Sequence, residues 1–291
     1  MVSPLPAPRV SVAIVSWNTR HALRECLAAL FASVGVELEV FVVDNASGDL
    51  SAEMVAREFP RVHLIVNEEN RGFARAANQA LERMTGDYCT LLNPDTRVEP
   101  DALAILARFL ATHPDAGACG PRLLFPDGRL QPNGGRFPSL ASLFLTATRL
   151  RNLSLARYDR RYRWGRDDFT VTTAVDQVSG ACFMLPRTVI DAIGPLDEQF
   201  FLYYEEVDWC RRIAATGRRV YYVADAIVRH RWGESSRQIG VEALRHLFES
   251  EYRYFRKHAP RWQVPIAWLL TRLELAQHLV ADRIRRRKAA R

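Results

Sequence analysis

Val10-Ser11-Val12-Ala13-Ile14-Val15-Ser16-Trp17-Asn18 is an apolar, β-branched run that breaks off into polar residues. Helical spacing follows at Leu23, Leu27, Leu30 and Phe31, within Ala22 to Phe31, so the opening spells strand, polar turn, helix. The same order repeats outward along the chain. Leu38 to Val43 is a second strand ending at Asp44, and Ser51 reads as the N-cap of a short helix through Arg57. Val62 to Val66, then Ala74 to Met84, then Tyr88 to Leu92, Asp101 to Leu110 and Gly117 to Phe125 continue the alternation. Repeated β-α-β units of this length predict an α/β fold: a mostly parallel, Rossmann-like sheet with helices on both faces. Ligands of such sheets bind beyond the carboxyl ends of the strands.

The polar clusters fall at those ends. Ser16-Trp17-Asn18 follows strand one, Asp44-Asn45-Ala46-Ser47 strand two, and Asn93-Pro94-Asp95 strand four. Asp44 is suited to accept hydrogen bonds from a base or ribose, and equally suited to a turn. An amide and a carboxylate two positions apart, Asn93 and Asp95, suit a hard cation such as Mg²⁺ or Mn²⁺, which prefers oxygen ligands; a plain turn is the competing reading. Asn70-Arg71-Gly72-Phe73-Ala74 opens a helix, where Gly72 permits close backbone approach and the helix N-terminus favours a diphosphate, with Arg71 or Arg75 adding charge. Glu205, Glu206 and Asp208 set three carboxylates within four residues among Phe200, Phe201, Tyr203, Tyr204 and Trp209. Aromatic neighbours suggest a cleft in which one carboxylate is raised in pKa and serves as general base. His230 lies in a polar turn after the apolar run Val220 to Val228.

The chain has 291 residues, 48% of them hydrophobic and 25% charged, enough for one sizeable core plus an extension. Its net charge is +7, carried almost wholly by arginine. Between Leu279 and Arg291 six basic residues face the single acid Asp282, so much of the excess sits in the tail. Five scattered cysteines without a C-x-x-C pair read as buried reduced thiols. Met1 to Arg9 holds three prolines and no apolar stretch of a signal peptide. Residues 137–173 look irregular, with an arginine- and tyrosine-rich middle from Arg157 to Arg166, and read as an insertion or loop. Order is expected again at Val178 to Leu185, in a helix over Val207 to Ala215, and in two C-terminal helices, Val241 to Lys257 and Pro265 to Arg283.

Taken in order, Ser16-Trp17-Asn18, Val43-Asp44-Asn45-Ala46-Ser47, Asn70-Arg71-Gly72-Phe73-Ala74 with Asn78, Leu91-Leu92-Asn93-Pro94-Asp95, Ser179-Gly180-Ala181 and Phe201-Leu202-Tyr203-Tyr204-Glu205-Glu206-Val207-Asp208 resemble glycosyltransferase family 2. Within it the chain looks like the bacterial rhamnosyltransferase branch. The resemblance runs from about Val10 to Arg237 and implies a GT-A fold over residues 1–237, followed by a C-terminal helical extension over 238–291. It implies an inverting, metal-dependent transfer from a nucleotide-diphosphate sugar, dTDP-rhamnose or a UDP-sugar, to a glycan or lipid-linked acceptor in cell-envelope polysaccharide assembly. Ser16, Asn18, Asp44, Asn45, Arg71, Gly72, Asn78 and Asn93 would face the nucleotide. Asp95 and His230 would hold Mg²⁺ or Mn²⁺. Gly180, Ala181 and Trp232 would line the acceptor site, and Glu206 would be the base, with Glu205 and Asp208 in reserve. Three positions depart from the family pattern: Asn93 replaces the first aspartate of the metal motif, Trp17 stands where tyrosine is commoner, and the acidic pair is Glu-Glu.

Ile266, Leu269, Leu270, Leu273, Gln277 and Val280 share one helical face with Trp268 nearby, but Arg272 and Glu274 make the segment too charged to span a bilayer. An interfacial helix followed by Arg285-Arg286-Arg287-Lys288 suits an enzyme on the inner, cytoplasmic face of the plasma membrane; a core-packed helix or dimer contact is the alternative. The chain lacks a basic recognition helix and an aromatic RNA-binding signature, so nucleic acid is not the expected partner despite a pI near 9.4. No G-x-G-x-x-G follows strand one, which excludes a dinucleotide enzyme of the usual pattern. The oligomeric state is not legible.

Overall fold

The computed structural model describes residues 7–148, 169–233 and 238–289, with side chains as far as 284. Ten strands form one sheet in the order β3-β2-β1-β4-β9-β6-β10-β5, with β7 (Leu130–Gln131) on β6 and β8 (Thr173–Val175) on β10. β1 (Arg9–Ser16), β2 (Glu37–Asp44), β3 (His63–Val66) and β4 (Tyr88–Leu92) run parallel, as do β6 (Ala116–Leu124) and β10 (Arg219–His230). β9 (Cys182–Pro186) lies antiparallel between β4 and β6. The chain enters β9 from the carboxyl edge of the sheet, so it can only run back against β4. That entry brings residues 178–181 across the ends of the parallel strands. β5 (Thr96–Val98) is likewise antiparallel to β10.

Side chains alternate across the strands and feed two cores. Val10, Val12 and Ile14 join Val40 and Val42 beneath α1 (Arg20–Phe31), α2 (Ser51–Glu58) and α4 (Ala102–Thr112). Ala13 and Val15 join Phe41 and Val43 on the other face, beneath α3 (Phe73–Leu81), α6 (Arg187–Ile193) and α7 (Glu205–Ala215). Leu23, Cys26, Leu27 and Leu30 of α1 are buried at helical spacing, which is why that segment is a helix on a sheet. Trp209 and Phe183 are fully buried, each contributing about 1.5–3 kcal/mol of apolar burial. A third cluster joins Leu143 and Ala147 of α5 (Leu140–Ala147), Phe200, Val207 of α7, Tyr254 and Phe255 of α8 (Val241–His258), and Ala267 and Leu270 of α9 (Val264–Ala289).

Four expectations change. Ser51 is the first residue of α2 rather than its cap; Leu50 precedes it at φ 66, and Asp49 Oδ1 accepts from Ser51 N while its Oδ2 accepts from Arg20 N. A helix, α5, occupies part of the stretch expected to be irregular, because Ser139 and Ser142 form a reciprocal capping box. The segment around Arg157 to Arg166 lies outside the described residues. α7 begins two residues earlier than expected, at Glu205, which sets all three acids in its first turn. The strand expected from Val178 begins only at Cys182. All five cysteines are buried free thiols, and burial pushes Cys26 and Cys182 up to about 12 and Cys89 to about 11.

Candidate active site

β1 and β2 end level, with Ser16 paired to Asp44, so the first two polar turns lie side by side. Asp44 is almost fully buried; its Oδ1 accepts from Ser47 N at 2.9 Å, while Oδ2 meets no protein donor. An orphaned buried carboxylate oxygen is costly, and it marks the place where a donor from outside, such as a base or ribose, would be satisfied. Ser16 Oγ is hydrogen-bonded to Thr19 Oγ1, and Asn18, at φ 52, ties its turn to the next through Gly48 N and Ser47 Oγ.

Two residues expected at the nucleotide direct their side chains to protein groups. Asn45 donates to Asn70 Oδ1 and Gly72 O and accepts from Asn67 Nδ2 and Arg71 N, which consumes its amide. Asn78 donates to Leu196 O and Glu198 and accepts from Leu196 N, clamping α3 to the segment before α7. Gly72 serves close approach, but to protein: at φ 79, a Cβ there would stand 2.6 Å from Phe201 O, and Phe73 N donates to that same carbonyl. Arg71 remains partly exposed at the mouth, 4.0 Å from Glu69.

Asp95 and His230 meet because β5 and β10 pair with Thr96 opposite His230. Asp95 Oδ1 lies 3.3 Å from His230 Nε2, both side chains are buried, and Arg231 N donates to Asp95 O. His230 Nε2 makes no hydrogen bond, while Nδ1 faces Gln131 Oε1 at 3.2 Å. With the proton on Nδ1 and donated to Gln131, Nε2 presents a lone pair beside a carboxylate, the orientation a metal-binding histidine requires. Among the described residues no three His, Cys, Asp or Glu side chains cluster to hold an ion alone. Two protein ligands completed by substrate phosphates and water is the usual provision for Mg²⁺ or Mn²⁺, so the pair fits such an ion.

The acidic pair forms the opposite wall. Tyr203 and Tyr204 adopt left-handed conformations, φ 69 and 70, and launch α7 so that Glu205 and Glu206 sit in its first turn. Oε2 of each glutamate is buried and without a hydrogen-bond partner, and Gly180 N donates to Glu206 Oε1 at 3.4 Å. Burial lifts both carboxyls above the ordinary range, and the charge of Glu206 raises Glu205 further. Asp208, the second reserve for the base, is fully buried against Arg212, Lys257 and His258; burial raises its carboxyl, but the hydrogen bonds of His258 and Lys257 and the charge of Arg212 outweigh it and hold the group down at about 2. A carboxylate so stabilised is a weak proton acceptor.

One loop links the walls. Gly180 N reaches Glu206, Ala181 O accepts from Asn93 N at 3.0 Å, and Ser179 N donates to Asn133 Oδ1 at 2.8 Å. Ala181 is itself buried, so it lines the site through its backbone. Trp232 stands at the rim, 58% exposed, with its ring 6.4 Å from that of Phe125. Gln131 and Asn133 were not anticipated; Gln-Pro-Asn-Gly-Gly reads as a turn, and nothing local announces that it meets His230 and Ser179 across the sheet.

The family model described as glycosyl transferase family 2 matches residues 11–194. The N-acetylglucosaminyl-diphospho-decaprenol L-rhamnosyltransferase of Mycobacterium tuberculosis is 27% identical over 95% of this chain and 95% of its own. The low-salt glycan biosynthesis hexosyltransferase Agl10 of Haloferax volcanii is 24% identical over 70% of this chain and 61% of its own. Among solved structures, the Pyrobaculum calidifontis mannosyltransferase in complex with GDP-Man and Mn²⁺ superposes with TM-score 0.60 at 20% identity, covering 97% of this chain and 77% of that one. GalNAc-T7 with UDP, GalNAc and Mn²⁺ superposes with TM-score 0.56 at 15% identity, covering 87% of this chain and 48% of that one. The matching family model and the shared fold agree, so the chain has the GT-A fold and is a member of glycosyl transferase family 2.

Proposed function

We propose that the protein transfers one sugar, rhamnose from dTDP-rhamnose before a hexose from a UDP-sugar, to a hydroxyl of a lipid-linked acceptor at the inner face of the cytoplasmic membrane. The observation that carries the chemistry is the buried glutamate pair with unpartnered Oε2 atoms, tied through Gly180 and Ala181 to the Asn93-Pro94-Asp95 turn. The choice of sugar and acceptor is supported by the mycobacterial relative, which is similar along nearly its whole length. Residues 238–291 are then an extension on the catalytic part, helical at Val241–His258 and Val264–Ala289.

In this reading Asp44 Oδ2 accepts from the base or ribose, and Arg71 adds positive charge at the diphosphate. Asp95 and His230 would hold the divalent ion, whose charge, when bound, offsets that of the diphosphate. The acceptor oxygen attacks the anomeric carbon as its proton passes to Glu206. The bond from that carbon to the phosphate oxygen breaks, and its electron pair leaves with the nucleoside diphosphate. A single displacement inverts the anomeric configuration. Glu206 is preferred to Glu205 because Gly180 N holds its Oε1 toward the loop, leaving Oε2 for the acceptor proton. Glu205 is the more deeply buried of the two, and burial together with the charge of Glu206 raises its carboxyl well above the ordinary range, so it is the group of the pair that holds a proton more readily.

The test is thermal-shift binding of dTDP-, UDP- and GDP-sugars with Mn²⁺, Mg²⁺ or EDTA. A metal-dependent rise with dTDP ligands is expected. A rise with UDP-sugars alone would replace the donor, and no rise with any donor would refute the site.

A further inference from the structure

The outward face of α9 carries Ile266, Leu269, Leu273, Ala276, Val280 and Ile284 at spacings of three or four, within about 80° of helical arc. The five larger side chains are 40% to 60% exposed, and Trp262, in the turn before the helix, is 64% exposed. Ala267, Leu270, Thr271 and Glu274 turn inward to be buried, and Gln277 Nε2 donates to Ala147 O at 2.8 Å. The face expected from the sequence is therefore divided, with Leu270 and Gln277 serving the protein and the remainder facing solvent. An apolar stripe of this length left in water marks an interaction surface.

Charge selects the occupant. Through residue 284 the acids of α9 are Glu274, buried, and Asp282, half-buried on the far side of the helix. Arg272 and Arg283 are exposed and flank the stripe along one edge, and Arg285-Arg286-Arg287-Lys288 follow in sequence. A second copy would bring arginine to arginine with no acid on the exposed arc to answer it. An anionic bilayer takes the apolar stripe at its acyl boundary and the arginines at its headgroups. Among the described residues no helix is long and apolar enough to cross a membrane, which leaves lying in the interface.

We propose that α9 docks the protein flat on an anionic membrane surface through this stripe. The inward side of the same helix belongs to the apolar cluster that also holds Val207 and Tyr204, the neighbours of the Glu205–Glu206 pair. This deepens the lipid-linked acceptor reading, yet it is measured without donor or acceptor, so its failure would leave that reading standing.

The experiment is vesicle flotation of the full chain with phosphatidylcholine alone and with added phosphatidylglycerol, paired with sedimentation velocity. The unaltered protein floats with the anionic vesicles, and partition falls about tenfold or more in Leu269→Glu/Leu273→Glu and in Arg272→Glu/Arg283→Glu. All four side chains are exposed, so unfolding temperatures stay unchanged. Flotation equal in the protein and the leucine variant would overturn the proposal, as would no flotation at all. A dimer that the leucine variant reduces to monomer, without vesicle binding, would assign the stripe to a second copy instead.

Discussion

Replacing Asp208 by asparagine removes the charge on which α7 and α8 meet. Its Oδ2 lies 2.9 Å from Arg212 Nε, and its Oδ1 lies 2.7 Å from both Lys257 Nζ and His258 Nε2. The hydrogen bonds of His258 and Lys257 and the charge of Arg212 outweigh burial and lower its carboxyl from the ordinary 3.8 to about 2, a difference equivalent to about 2.5 kcal/mol of folded-state preference for the ionised form. Removing one member of a buried pair costs about 3–5 kcal/mol when the partner is stranded. Here Arg212 keeps its bonds to the carbonyls of Ile193, Gly194 and Pro195, and Lys257 keeps Asp197, so Asp208→Asn is expected to cost only about 2–3 kcal/mol. The assay is urea unfolding at neutral pH, repeated down to acid. A depressed carboxyl contributes stability that is present above its ordinary pKa and lost as pH falls toward about 2, so the variant should lose this acid-side dependence. Transfer activity should survive within about an order of magnitude, because the charge holds helices and moves no proton. Unchanged stability together with abolished turnover would refute the argument and return Asp208 to the reaction.

Further outcomes follow from the site. Glu206→Gln should abolish transfer, at least about a hundredfold in kcat, while sparing donor binding by thermal shift; near-normal turnover would remove it as the base. Gln131→Ala should weaken Mn²⁺ affinity in the presence of nucleoside diphosphate by about tenfold or more through loss of its hold on His230 Nδ1, read by calorimetry; unchanged affinity would deny that role. Gly72→Ala should destabilise by about 1–3 kcal/mol, since φ 79 and a 2.6 Å approach to Phe201 O both oppose a side chain, and a denaturation midpoint equal to that of the parent would contradict it. Glu205 carries a raised carboxyl, so the stability it allows at low pH is lost as pH rises above the ordinary carboxylate range; Glu205→Gln should therefore gain stability at neutral and alkaline pH, checked by urea midpoints against pH.

Residues near one another in sequence announced most of the fold. Val10 to Val15, Leu38 to Val43 and Tyr88 to Leu92 are strands within a residue or two of their observed ends, because hydrophobic alternation and terminal polar turns are local signals. Their parallel order also fixes the edge of the sheet at which Asp44, Asn93 and Asp95 gather. The start of α7 at Glu205, two residues before the expected Val207, follows from the left-handed Tyr203 and Tyr204 that launch it, a backbone geometry with no local sequence signal. The roles of individual polar residues were not legible from position alone. Asn45 sits in the same motif as Asp44, Asp208 in that of Glu206 and Asn78 in that of Gly72, but their side chains bond to protein groups that include Asn67, His258 and Leu196, tens of residues away. Whether a buried polar atom is satisfied depends on every neighbour at once, and those neighbours are assembled only by the fold. So the chain's sequence determined the sheet, its carboxyl edge and the set of groups gathered there. The tertiary structure decided which of those groups remain open to a substrate, because the antiparallel entry of β9, the pairing of β7 with β6 and the pairing of β5 with β10 bring Gly180, Gln131 and His230 to residues with which they share no local signal.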